Sequence, residues 1–466
     1  MGRLAGATSG PTPVRAAILV SLAAVAVGGL LIADRGAPIG ASIVALLVPP
    51  VAWLVLARGE EHGVRVDVRL VVALIALLMV LAVVLPPRGS KDIWSYVMYG
   101  RMVSEHGASP YSQVPNDFPH DPFLHYVGSG WRDTSSVYGP VFIAVSAVGS
   151  RIAGDSALVA RLFQQLLAAG AVSAALVLVW RRSRSPAALA LLGINPIVIG
   201  SVVNGGHNDA LVGLGVLAAA LLAVRRRAAA AGVVLALAAL VKVTALLVVP
   251  PLAIWTALHF GRRVALRFST ATAALVAAGY AVVGPKAFTA LGANRSVQSR
   301  ASVWQLVPHH LAVTVGTSRS EWLGLLSMIS FVAIVVLVLV TAWRWRGALE
   351  PTTGVVLALA SFVVLGVYVL PWYMAWMLPT ACLAPGRVMR VFAAVMCTFL
   401  PIVYAVKFRA LPNPVETGWW VFGAYVGPVL IVGLFCVLLA RSPGGACSAP
   451  RRSDLSATAP GSTGSQ

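Results

Sequence analysis

The strongest constraint on this chain is that apolar runs able to span, or nearly span, about 30 Å of hydrocarbon follow one another almost without pause. They lie near 16–33, 39–57, 69–86, 156–180, 186–203, 208–224, 228–245, 247–260, 264–283, 323–343, 352–370, 391–407 and 419–440, with shorter ones at 137–152 and 371–384. Only 11% of the 466 residues are charged and 59% are hydrophobic, against roughly 25% charged in soluble domains. So little charge cannot cover a water-facing surface of this size, and the excess apolar area must face lipid. Because lipid offers the backbone no hydrogen-bond partner, the expected fold is all-α and polytopic, a bundle of about 12 to 14 transmembrane helices. Arg3 and Arg15 precede a first run that continues into further spans, so that run is expected to be retained rather than cleaved as a signal.

Charge placement sets the expected orientation. The net charge of +20 would suit a nucleic-acid partner, yet the bases sit in short loops between spans: Arg58/Arg65/Arg69, Arg181/Arg182/Arg184, Arg225 to Arg227, Arg262/Arg263/Arg267, Arg344/Arg346 and Arg387/Arg390. That is the signature of cytoplasmic loops, so no nucleic-acid partner is expected and the N-terminus is placed inside. Residues 1–440 then form one integral membrane domain, with 87–136 and 285–322 as extracytoplasmic loops and 441–466 as a disordered cytoplasmic tail. Parity requires one of 137–152 and 156–180 to be re-entrant or interfacial, and the short 137–152, which starts with Tyr138-Gly139-Pro140, is the one expected; 228–260 should go out and return with Lys242 near its outer tip. Cys382, Cys397, Cys436 and Cys447 form no CxxC and lie far from His at ligand spacing, so neither a disulfide framework nor a metal centre is indicated.

On the expected outer side the informative groups are those whose charge is costly at a membrane edge. Asp92, in Lys91-Asp92-Ile93-Trp94-Ser95-Tyr96, heads a segment with interfacial amphipathic character, with Trp94, Tyr96 and Tyr99 expected at headgroup depth. Asp92 is then either a helix cap or a carboxylate able to take a proton from a sugar hydroxyl. The turn Asn204-Gly205-Gly206-His207-Asn208-Asp209 comes after Asn195-Pro196 inside an apolar run. It is a plain hairpin or a ligand site, since its glycines permit close approach, His207 can donate to phosphate or shuttle a proton, and Asp209 opens a helix. Lys242 is a snorkelling lysine or a phosphate counter-ion, and Arg295 and Arg300 are bases on the side that disfavours them. Trp372, Tyr373 and Trp376 form an aromatic belt or a platform for sugar rings. Asp117, His120, Asp121 and His125 have the residue types of metal ligands, but no periodicity sets them on one face, and a proline-set loop suits carbohydrate equally. His309-His310 lacks a carboxylate at ligand spacing.

Taken together, Asp92 in DIWSY, Ser109-Pro110-Tyr111, SVYGP at 136–140, Asn195-Pro196, GGHND at 205–209, LVK at 240–242 and PWY at 371–373 resemble the GT-C superfamily of integral-membrane glycosyltransferases. The likeness runs over roughly 70–420 and is greatest to the actinobacterial polyprenyl-phosphomannose-dependent α-1,6-mannosyltransferases of lipomannan assembly. The resemblance implies a polyprenyl-phosphate sugar donor, mannose as the hexose, a glycolipid or glycan acceptor, inversion at the donor carbon and no metal or other cofactor. It implies Asp92 as general base, Tyr96 and Tyr138 lining the site, and Asn204, His207, Asn208, Asp209 and Lys242 on the donor side. Arg295 and Arg300 would meet phosphate, and Trp372 and Tyr373 the sugar. The rival reading is a transporter or flippase, which also uses broken helices, although the two halves carry no evident inverted repeat.

Overall fold

Lipid forces each peptide group to find its partner within its own helix, and the described residues form helices and turns without a strand. The computed structural model describes residues 12–441 apart from 34–38, 65, 294–296, 345, 347–349, 406–413, 415–416 and 419–420. The 442–466 tail and Arg295 therefore lie outside the described residues. In chain order the helices are α1 (Pro13–Ile32), α2 (Ile39–Glu61), α3 (Val68–Val84), α4 (Asp92–Ser104), α5 (Pro140–Ala153), α6 (Ala157–Ser183), α7 (Pro186–Gly193), α8 (Asp209–Val224) and α9 (Ala228–Ala239). They continue as α10 (Val249–Phe260), α11 (Arg262–Val283), α12 (Lys286–Ala293), α13 (Val307–Val315), α14 (Arg319–Arg344), α15 (Pro351–Leu365), α16 (Leu378–Ala381), α17 (Val388–Ala405) and α18 (Gly427–Arg441).

The expectation of an all-α polytopic membrane protein holds. Six helical segments among the described residues are long and apolar enough to cross on their own, and a seventh results if Pro186–Gly193 and Ile197–Val203, bent by 43°, count as one. The other apolar segments are helices of 10–17 residues. The helices are interrupted for local reasons: Pro196 has no N–H to donate, Lys242 is extended, and the chain leaves α15 at Gly366 before the 3-10 segment Pro371–Trp376. The 137–152 run becomes α5, 14 residues long, or about 21 Å at 1.5 Å per residue.

Side chains from other helices satisfy the backbone carbonyls left at the end of α3. The Arg161 guanidinium donates to the carbonyls of Val83, Val84 and Leu85. Gln165 and Asn204 both donate to Ala82 and Leu85, and Asn204 also reaches Pro86. This replaces the water that would cap such a terminus in a soluble protein. At the opposite end of the bundle, Glu60 accepts from the Ser185 hydroxyl and the Ala187 N–H, and Arg387 pairs with Glu61. Three of the connections rich in arginine thus come together at the end remote from Asn204.

One expectation is corrected at α4. Tyr96 and Tyr99 do not lie at a lipid interface; they are buried, with Ile93, Val97, Met98 and Met102, because α5 packs on one side and the 107–136 loop folds over the other. Arg101, on the same helix, is buried as well. Its Nε donates to both oxygens of Asp121 at 3.0 and 2.9 Å, and Nη1 and Nη2 reach Gly154 O and Asp155 Oδ1 at 2.7 and 3.0 Å. His106 Nε2 lies 2.8 Å from Asp121 Oδ2. Burial would raise the Asp121 pKa, but the Phe123 N–H, His106 and Arg101 outweigh it and hold the carboxyl below its usual value.

Because the folded value is lowered, this stabilisation is present above the ordinary carboxylate pKa of about 3.9 and is lost as pH falls through the folded value. Arg101→Met leaves the Asp121 charge buried and should destabilise the loop by about 3–5 kcal/mol. The check is limited proteolysis of the 107–136 loop in sealed vesicles, where the variant should be cut at neutral pH and the parent only in acid.

Candidate active site

The polar groups gather where helices are interrupted. Asn195 bridges the first interruption: its Nδ2 donates to Leu191 O, and its Oδ1 accepts from the N–H of Ile197 and, at longer range, Val198. A π-helical segment, Ile197–Val203, then leads to the 204–208 turn. Gly206 sits in the left-handed region at φ 62°, where a Cβ would also lie 2.8 Å from Ile93 Cδ1, so the turn needs glycine there. Asp209 is the first residue of α8.

Asp209 draws the lysine and the aromatic residues together. Its Oδ1 accepts from Lys242 Nζ at 2.8 Å and from the Trp376 indole N–H. Lys242 lies at the break after α9, with Nζ 4.4 Å from the centre of the Tyr373 ring and 5.0 Å from that of Trp376. The 3-10 segment Pro371–Trp376 can approach because α8 presents Gly213 to it: a Cβ there would stand 2.0 Å from Ala375 O. Asp209 is fully buried, and the Lys242 side chain is 13% exposed.

His207 stands behind Asp92. Its Nδ1 is 3.1 Å from the Tyr96 hydroxyl, 3.9 Å from Asp92 Oδ2 and 3.8 Å from Asp209 Oδ2. Trp372 stacks on the imidazole, ring centres 4.0 Å apart and planes 24° from parallel. Burial, and after it the Lys242 charge, holds this turn histidine well below its usual pKa, so it is neutral. Asp92, in the first turn of α4, keeps 19% of its side chain exposed while His207 keeps none. The carboxylate at the mouth is thus backed by a buried imidazole, a buried carboxylate and an ammonium group.

Tyr138 closes another wall. Its ring meets Tyr96 edge-on at 4.9 Å, and the next residues clamp the Lys242 break: the N–H groups of Gly139 and Val141 donate to Val241 O and Leu240 O. A Cβ on Gly139 would lie 2.1 Å from Leu240 O. Gly139→Ala should therefore push the two segments apart and destabilise by about 1–3 kcal/mol, lowering both the melting temperature and any activity of the purified protein.

The structure joins Asp92, Tyr96, Tyr138, His207, Asp209, Lys242, Trp372 and Tyr373 in one cluster. Asn204 lies beside it, but its amide is committed to backbone: besides the α3 carbonyls, its Oδ1 accepts from Arg88 N–H. Asn208 is buried, and neither end of its amide has a hydrogen-bond partner. Arg300 is exposed, on a segment where Ser299 and Ser302 bond to the backbone of Gly366 and Val369. Asp117, His120, Asp121 and His125 are not assembled: Asp117 accepts from Val114 N–H, Asp121 is held by Arg101 and His106, and His125 lies tilted against Tyr126. Sequence reasoning misses Trp376 as the partner of Asp209. The only signal is its position four residues after Trp372.

Together these features define an all-α, multi-pass membrane protein in which Asp209 and Lys242 meet at helix breaks beside one large loop, itself pinned by the second buried pair, Arg101–Asp121. The chain belongs to the alpha-(1->6)-mannopyranosyltransferase family: residues 4–259 match its N-terminal domain, and residues 306–436 match the MptB C-terminal domain. It is 27% identical over 388 residues to alpha-(1->6)-mannopyranosyltransferase A of Mycobacterium tuberculosis, covering 76% of this chain and 72% of that protein. With alpha-(1->6)-mannopyranosyltransferase A of Corynebacterium glutamicum it shares 27% identity over 221 residues, 45% of this chain and 44% of the relative. Alpha-(1->6)-mannopyranosyltransferase B of the same organism is 30% identical over 132 residues, 27% of this chain and 22% of the relative.

Proposed function

We propose that this protein transfers mannose from a polyprenyl-phosphate donor to a glycolipid or glycan acceptor, with inversion, on the extracytoplasmic face, Asp92 acting as general base. The observation that carries the reading is the position of Asp92: a partly exposed carboxylate at the mouth of a cluster walled by Tyr96, Tyr138 and Trp372, in a chain of this family. An acceptor hydroxyl attacks the anomeric carbon, Asp92 takes its proton, and the C1–O electron pair leaves with the lipid phosphate. Trp372, half-buried, is the aromatic that meets the sugar, whereas Tyr373 is buried with its ring stacked on Trp376.

The cluster also refines individual roles. Asn204 is withdrawn from substrate contact, because its amide is taken up by backbone. Lys242 already has Asp209 as counter-ion, so it joins phosphate binding only as part of that pair, and Arg300 is the candidate on the exposed side. The meeting of Glu60, Glu61, Ser185 and Arg387 at the end remote from this cluster supports placing that end in the cytoplasm, since it gathers arginine-rich connections.

The test is to incubate membranes containing the protein with radiolabelled polyprenyl-phosphomannose and an α-mannoside acceptor. Elongation of the acceptor is expected. Vesicles that move the labelled lipid across the bilayer without elongating the acceptor would favour the transporter instead.

A further inference from the structure

Four titratable groups form an unbroken series inward from the mouth of the site. Asp92 Oδ2 is 3.9 Å from His207 Nδ1, the same nitrogen is 3.8 Å from Asp209 Oδ2, and the other oxygen of Asp209 is 2.8 Å from Lys242 Nζ. The imidazole is fixed on one face by Trp372, and Asp209 is fixed by the Trp376 N–H. His207 Nε2 and Asp209 Oδ2 are buried without a hydrogen-bond partner. A histidine serving only to fill the core would satisfy both ring nitrogens, because an unmade buried bond costs about 1–3 kcal/mol.

We propose that His207 is the proton-handling partner of Asp92, so that the two act as one base, with Asp209, Lys242 and Trp376 as positioning residues behind them. The inference rests on the transferase reading and deepens it. As the acceptor oxygen bonds to the anomeric carbon, its proton passes to Asp92 and then to His207 Nδ1, while the C1–O electron pair leaves with the phosphate. The Tyr96 hydroxyl, 3.1 Å away, turns to accept from the imidazolium, which lies between the Asp92 and Asp209 carboxylates. Lys242 matches the charge of Asp209, so the proton added to the Asp92–His207 pair leaves that pair neutral. The proton is released to the departing phosphate or to water at the mouth. In the resting state the imidazole is neutral and able to receive it. Both separations exceed hydrogen-bond length, and catalytic contacts of this kind commonly tighten when substrate binds.

The groups facing His207 are Asp92 and Tyr96 from α4 and Asp209 from α8, with Lys242 beyond it and Tyr138 and Tyr373 flanking the lysine. Two coupled bases hold their shared proton more tightly than the carboxylate alone, so removing His207 should move the acidic limb of the rate profile to lower pH.

The experiment measures kcat and KM of the full-length protein against pH, with polyprenyl-phosphomannose and an α-mannoside acceptor, for the parent, His207→Gln and Asp92→Asn. His207→Gln should lower kcat by about 10²-fold or more, leave the acceptor KM within about threefold of the parent, and shift the acidic limb downward. His207→Ala provides the second arm: added imidazole should restore turnover, while 1,2,4-triazole, of the same shape but far less basic, should not. Equal rescue by both heterocycles, or a His207→Gln profile with an unmoved acidic limb, would overturn the proposal and leave His207 a packing residue. Full turnover in Asp92→Asn would instead remove the general-base role of Asp92 on which this inference rests, and no transfer by the parent would remove the transferase reading itself; an inactive Asp92→Asn beside a nearly normal His207→Gln would remove this inference alone.

Discussion

Replacing Asp92 by Asn is expected to lower mannosyl transfer by about 10²–10⁴-fold, the usual contribution of a positioned general base, while the protein inserts and melts almost as the parent does. Both halves of that expectation follow from where the residue sits. Asp92 is in the first turn of α4, where Lys91 is the N-cap and makes no side-chain capping bond. Asn fits the same volume and gives up a favourable charge against the helix dipole, a loss of about 0.3–1 kcal/mol. What Asn cannot do is accept a proton. A variant that still transferred at more than a tenth of the parent rate would take the base role from Asp92. A variant that failed to melt cooperatively would show that the carboxylate is needed by the fold. Comparing radiolabelled elongation with thermal melting of the purified protein separates these outcomes.

The parts of this site that can be read from sequence are those whose polar groups interrupt an apolar run. Asp92, the 204–209 turn and Lys242 are conspicuous because a charge or an amide at a membrane edge has no cheap place to go. Their convergence is implied by the family resemblance but not by the residues themselves. It depends on close approaches that sequence alone does not announce: Gly213 against Ala375 O, and Gly139 against Leu240 O. Burial of α4 is hidden for a related reason. Ile93, Val97, Met98 and Met102 have the spacing of a helix lying on lipid, and the same spacing serves a helix covered by its own succeeding loop. The pairing of Arg101 with Asp121, twenty residues on, decides between the two. Asn204 shows the reverse case. Its place in a polar turn suggests a ligand contact, whereas the unpaired carbonyls at the end of α3 claim it first, because a membrane leaves them no water.

The larger effect on the fold should come from Asp209 and Lys242. Asp209→Asn leaves the Lys242 ammonium, 13% exposed, without its counter-ion, and Lys242→Met leaves a fully buried carboxylate unpaired. Each single change should destabilise by about 3–5 kcal/mol, because the remaining charge stays desolvated. The double variant Asp209→Asn/Lys242→Met should melt close to the parent: with both charges gone, the desolvation penalty goes too, and a neutral amide oxygen still accepts from the Trp376 indole. Turnover should not return with stability, since Asn presents His207 with no carboxylate to balance an imidazolium. Melting temperatures of the four proteins in one detergent, read beside their transfer rates, decide the matter. If the double variant melted as low as the two single losses added together, the pair would be ordinary packing and not a charge-balanced strut. If it recovered turnover along with stability, Asp209 would have no part in holding the base.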